Sequence, residues 1–140
     1  MYRCILHATD LKENHLNYCE QAVQIAKLFK ADLFLLHVLD IPSSWQIAQG
    51  LGFAENEPFP IEETKIVMNA LADQFELPQN NMLLMHGSLR NCIVECVENL
   101  QPELLLIGSP TNQLIQGEFT HISHFIVDHV PCDIMMLRPK

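Results

Sequence analysis

Glu103-Leu-Leu-Leu-Ile-Gly-Ser-Pro110 is the stretch that decides the fold, an unbroken apolar run that stops at Gly108-Ser109. A strand covered on both faces needs apolar side chains at every position, and parallel strands in layered α/β sheets are covered that way. A glycine and a serine directly after such a strand read as a turn facing a ligand at the strand's carboxyl end. Downstream, Ile122-Ser-His-Phe-Ile-Val-Asp-His-Val-Pro-Cys132 has helical spacing, and Asp133-Ile-Met-Met-Leu-Arg138 reads as a further strand. Strand, glycine turn, helix and strand make one βαβ unit.

Outward from that unit the alternation runs back to the beginning. Residues 2–8 form a β-type run, followed by the polar turn Thr9-Asp-Leu-Lys-Glu-Asn14. Asn14 or Thr9 is placed to cap the next helix, whose inner face is read as Leu16, Cys19, Val23, Ala26 and Leu28 or Phe29. Residues 33–39 are the second strand, apolar except at His37. Between Asp40 and Pro60 the pattern breaks at Pro42, Gly50, Gly52, Pro58 and Pro60, with a short helix expected over 44–49. A helix over 61–75 follows, with Ile66, Met68 or Ala70, and Leu71 inward. Residues 81–86 are the third strand, and 89–100 the third helix, with Leu89, Ile93, Cys96, Val97 and Leu100 inward and Pro102 ending it. The fourth strand spans 104–107, the fourth helix starts at Gly117 or Thr120 and ends at His129, and the fifth strand spans 134–137. Five strands alternating with four helices imply one α/β domain over residues 1–140: a doubly wound, open parallel five-stranded sheet with helices on both faces.

Composition narrows the function. A formal charge of −9 with only eight scattered Lys and Arg excludes a nucleic-acid surface, which needs clustered cations. No apolar run approaches the roughly 18 residues of a membrane span, and no export signal opens the chain, so a cytoplasmic location is expected. The five cysteines form no CxxC pair and fall in apolar patterns, which reads as buried thiols in a reducing compartment. Cys92 and Cys96 share a helix face as the one potential redox pair.

The layout resembles the universal stress protein family across nearly the whole chain. The residues that carry this are Ala8-Thr9-Asp10 ending the first strand, His37-Val38 ending the second, Gly87 with Ile93 behind it, Leu104 to Ser109, and the closing Val130-Pro-Cys-Asp-Ile-Met-Met-Leu-Arg138. The resemblance implies an adenine nucleotide alpha hydrolase-like fold, with Asp10 and Val38 near an adenine. ATP-binding members carry G-x2-G-x9-G-[S/T] after the fourth strand, where glycines let backbone amides close on phosphates at a helix start. Gly108 is present here, but Thr111 stands at the second glycine. The Gly-Ser position reads His121-Ile122 counted forward, or Thr120-His121 aligned back from Pro131-Cys132. This departure resembles the branch typified by universal stress protein A, which lacks the motif and is not regarded as an ATP binder. The resemblance also implies a homodimer in which the fifth strand (Ile134, Met135, Met136 and Leu137) pairs antiparallel with its counterpart. A short apolar edge strand without Pro or Lys is an open template for such pairing.

Two functions follow. The first is a non-enzymatic, dimeric stress-response module that recognises other proteins, without ordinary ATP binding and with no certain cofactor. The second is an adenine-nucleotide sensor for ATP or AMP with at most slow hydrolysis. Its cleft would be formed by Ala8, Thr9, Asp10, Val38, Gly108, Ser109, Thr120, His121 and Ser123, with side chains replacing the lost glycine amides. Asp10 has a local alternative as a turn-capping carboxylate. His37 and His86 either face the same cleft or bond to strand carbonyls. His121 and His124 are three apart, but no second ligand cluster accompanies them, so no metal site is assigned. Trp45 and Phe53 are read as covering the sheet edge. No nucleophile elbow or Walker loop is present.

Overall fold

The computed structural model describes residues 1–40, 50–52, 61–109 and 118–140, without the side chains of Asp40 and residues 118–122. The expected helix over 44–49, Trp45, Phe53, Thr111 and Gly117 lie outside the described residues.

The elements are β1 (Cys4–Thr9), α1 (His15–Phe29), β2 (Asp32–Asp40), α2 (Ile61–Phe75), a 3-10 turn (Gln79–Asn81), β3 (Met82–Gly87), α3 (Leu89–Leu100), β4 (Leu104–Gly108), α4 (Glu118–His129) and β5 (Asp133–Leu137). All five strands pair in parallel in the order β3-β2-β1-β4-β5. The chain builds outward from β1 to β3, then returns to the other side of β1 with β4 and β5. Strand order therefore reverses between β1 and β4, and the carboxyl ends of those two strands flank the switch point.

The apolar runs explain this architecture. Ile5, Leu6, Leu105 and Leu106 have no exposed surface because consecutive side chains enter two separate cores. On one face, α1 and α2 pack Tyr18, Cys19, Ala22, Val23, Ala26 and Leu71 against Ile5, Leu33, Leu35, Leu104, Leu106 and Leu137. On the other, α3 and α4 pack Leu89, Cys92, Ile93, Cys96, Val97 and Ile126 against Leu6, Ala8, Leu36, Val38, Leu105 and Ile107. Among the described residues, no helix is long and apolar enough to cross a membrane.

Several expected inner faces change. In α1, Leu16 is exposed and Leu28 is 80% exposed, while Tyr18 and Ala22 take the buried positions. In α2, Ile66 and Ala70 face out, and Thr64, Met68, Leu71 and Ala72 face in. Neither Thr9 nor Asn14 caps α1 with its side chain: Asn14 sits in the left-handed region (φ 70°), and Thr9 Oγ1 accepts from Leu11 N–H at 3.2 Å. Ser88 caps α3 instead, accepting from Asn91 N–H at 3.5 Å. No disulfide joins any of the five cysteines; Cys19, Cys92 and Cys96 are buried as expected, but Cys4 and Cys132 are only half-buried. Burial pushes the Cys19 thiol up to about 12 and that of Cys96 up to about 11, so both stay protonated and poorly nucleophilic.

Candidate functional site

The switch point is built first by β1. Parallel pairing with β2 and β4 carries Ala8 and Thr9 into the interior, and Asp10 follows at the strand end. Asp10 Oδ1 accepts from Lys12 N–H at 2.9 Å, so the carboxylate closes the local turn. The turn is tight: Leu11 (φ 56°) and Asn14 (φ 70°) both adopt left-handed backbone that only a minority of non-glycine residues occupy. The local role expected for Asp10 is thus present.

From β2, Val38 joins the α3/α4-side core with Ala8 and Ile107. His37 lies on the opposite face, where its Nδ1–H donates to the Thr9 carbonyl at 2.8 Å. That is the strand histidine bonded to a backbone carbonyl; His86, by contrast, is exposed. Burial pushes the His37 imidazole below its ordinary value, against the opposing effects of the Thr9 carbonyl and Asp10.

β4 supplies Gly108 and Ser109, and here α1 intervenes. The Tyr18 ring lies against Gly108, so a β-carbon there would fall 2.5 Å from Tyr18 Cε2. The Tyr18 hydroxyl donates to the Ser109 carbonyl at 2.9 Å, and Ser109 N–H donates to the Leu137 carbonyl at 2.7 Å. Gly108 is therefore required by internal packing, whatever else approaches it. Ser109 is buried with both its backbone groups engaged.

Ala8, Thr9, Asp10 and Gly108 come together, joined by His7 and Tyr18, around a cavity of about 10 Å³. Val38 and Ser109 lie adjacent in the fold but do not line it. Thr120 and His121 fall in the first turn of α4, where backbone amides lack intrahelical partners, and Ser123 is half-buried one residue into the next turn. The side chains of Thr120 and His121 lie outside the described residues.

His7 and Tyr18 escaped the sequence reading. His7 is 1% exposed; its Nδ1 lies 3.0 Å from the Leu106 carbonyl, and burial pushes the imidazole down to about 4 although that carbonyl and Asp10 act the other way. A strand histidine alternating with Ile5 and Thr9 was the available signal for the first. The spacing Tyr18, Ala22, Ala26 was the signal for the second. Among the described residues, no group of three His, Cys, Asp or Glu side chains is arranged to hold a metal ion.

Comparison with known proteins agrees with this fold. The family model described as "Universal stress protein family" matches residues 1–138. The chain is 27% identical over 122 residues to universal stress protein A homolog 2 of Coxiella burnetii, covering 86% of this chain and 84% of that one. Its fold is similar to that of universal stress protein UspA from Lactobacillus plantarum, with a TM-score of 0.69, 23% identity and 98% of each chain covered. A universal stress protein solved in complex with cAMP is similar at a TM-score of 0.63 and 16% identity, with 99% of each chain covered.

Proposed function

The chain belongs to the universal stress protein family, and from that premise we propose that it is a non-enzymatic stress-response module. It works in the cytoplasm as a homodimer and does not bind ATP in the ordinary way. The observation that carries this reading is the closure of the switch point. Among the described residues, Tyr18 covers Gly108, Ser109 is bonded internally, and the cavity lined by the β1 and β4 ends is about 10 Å³. A nucleotide pocket is typically some 300 Å³ or more. Thr111 in place of the second motif glycine acts in the same direction, since its β-carbon narrows the approach of backbone to phosphate.

Calorimetric titration of the nucleotide-stripped protein with ATP and AMP, with and without magnesium, tests it. No heat with either nucleotide is expected, and Thr111→Gly alone should not create binding while Tyr18 remains in place. Micromolar binding by the unmodified protein would overturn the reading.

Support for a homodimer comes from β5. It is an edge of the sheet, and Met135 and Met136 are 40% and 42% exposed along it. Unpaired edge amides and carbonyls with apolar side chains favour addition of a second strand, and a two-fold antiparallel pairing closes on itself. Met136→Asp should shift micromolar protein from dimer to monomer in sedimentation velocity. An unchanged sedimentation coefficient would remove β5 from the interface.

The second reading, an adenine-nucleotide sensor, is favoured by one finding: a similar protein of this fold was solved in complex with cAMP. On that reading Asp10, Val38, Gly108 and the α4 first turn at Thr120 and His121 receive the nucleotide, and Tyr18 must swing away. The titration above separates the two.

A further inference from the structure

We propose that the cavity at the β1/β4 switch point is a site for one water molecule, held by His7, Thr9 and Asp10, which ties the Asp10 turn to β4. His7 Nδ1 lies 3.0 Å from the Leu106 carbonyl oxygen. A carbonyl only accepts, so the ring proton sits on Nδ1 and Nε2 presents a lone pair. His7 is 1% exposed, and among the described residues no group stands within hydrogen-bond reach of that Nε2. Native interiors satisfy such an acceptor with ordered water wherever there is room and a set of polar partners.

Both conditions are met. The cavity bounded by His7, Ala8, Thr9, Asp10, Tyr18 and Gly108 is about 10 Å³, close to the smallest that admits one water. The Thr9 hydroxyl accepts from Leu11 N–H and retains its own proton to donate. Asp10 commits Oδ1 to Lys12 N–H, which leaves Oδ2 to accept. The Tyr18 proton is committed to the Ser109 carbonyl. One water donating to His7 Nε2 and Asp10 Oδ2, and accepting from Thr9, makes about three bonds, the usual complement of a buried water. A larger occupant has no room beneath the Tyr18 ring.

A continuous hydrogen-bonded chain then crosses the switch point: Leu106 carbonyl in β4, His7 in β1, water, Asp10 carboxylate and Lys12 amide. The left-handed residues Leu11 and Asn14, which lead into α1, belong to the turn it anchors. This inference stands independently of whether the protein binds a nucleotide.

Heteronuclear NMR of the full chain tests it. Long-range proton–nitrogen correlation should give His7 as the Nδ1–H tautomer. Water-selective NOE and ROE spectra should show a long-lived water cross-peak to the His7 ring. Thr9→Val, which keeps the shape and removes the donor, should lose the cross-peak and keep the tautomer. An Nε2–H tautomer, no cross-peak in the unmodified protein, or a cross-peak unchanged in Thr9→Val would each overturn the proposal. The first two readings need no variant, so a Thr9→Val chain that failed to fold would leave them decisive.

Discussion

The two faces of the sheet are made by the same strands and carry different chemistry. Facing α3 and α4, the buried core of the three central strands is apolar: Leu6, Ala8, Leu36, Val38, Leu105 and Ile107. Facing α1 and α2, the amino-terminal half is equally apolar, with Ile5, Leu33, Leu35 and Leu104. Toward the carboxyl end that face changes to His7, Thr9 and His37, all buried, with His7 and Thr9 lining the same cavity as Tyr18. Alternation along each strand keeps the two sets apart. One face is stabilised by burial alone, whereas the other depends in part on hydrogen bonds and on the histidines staying neutral.

The sharpest way to break the apolar face is Ile93→Ala. Ile93 is fully buried in the α3/α4-side core, and removing its branched side chain should cost about 2–5 kcal/mol. The urea midpoint should fall with little change in slope, and by the same amount at mildly acidic and neutral pH. A markedly smaller loss would mean that the face collapses around the deletion.

The polar face should instead fail with acid. Desolvation holds the folded-state pKa of His7 down at about 4 against an ordinary 6.5, and lowers that of His37 as well. A depressed histidine favours the neutral form in the folded state. Its contribution is therefore fully present above 6.5 and is lost as pH falls toward 4. For His7 alone the loss is on the order of 3 kcal/mol. Urea unfolding across this window should show the decline, and His7→Gln should flatten most of it, leaving the part due to His37. A decline as steep in the variant as in the unmodified protein would assign acid sensitivity elsewhere.

This contrast also marks what could be read in the sequence. The strands were legible because a two-sided buried strand writes itself as a continuous apolar run, as Leu104 to Ile107 does. Helix faces were harder. Ile66 is expected inward with Met68 or Ala70 and Leu71, yet two residues from Met68 is about 200° around a helix, so a stripe through Met68 and Leu71 must turn Ile66 outward. In α1 likewise, small Ala22 and amphipathic Tyr18 take inward positions that the apolar spacing assigns to Leu16 and Leu28 or Phe29. At the site, Thr9 and Asp10 were legible as the end of a strand. The Tyr18 contact with Ser109 spans 91 positions, and that of His7 with Leu106 spans 99. Pairings so distant are set by packing of α1 on the sheet and leave no local pattern.

Gly108 is where sequence and structure assign different reasons to one residue, and Gly108→Ala separates them. If the glycine served only the approach of a ligand, alanine would leave the unliganded protein as stable as before. The packing predicts otherwise: the new methyl group would lie 2.5 Å from Tyr18 Cε2 and 2.6 Å from Cδ2. The ring is buried and held by its bond to the Ser109 carbonyl, so it cannot yield without losing that bond. Overpacking of this kind costs about 1–3 kcal/mol. In a Tyr18→Ala background the obstacle is gone, and the same substitution should cost far less. A double-mutant cycle by urea unfolding should therefore give a coupling of about 1 kcal/mol or more between positions 18 and 108. A coupling near zero would mean that the ring moves freely, and the switch point would then be open to a ligand after all.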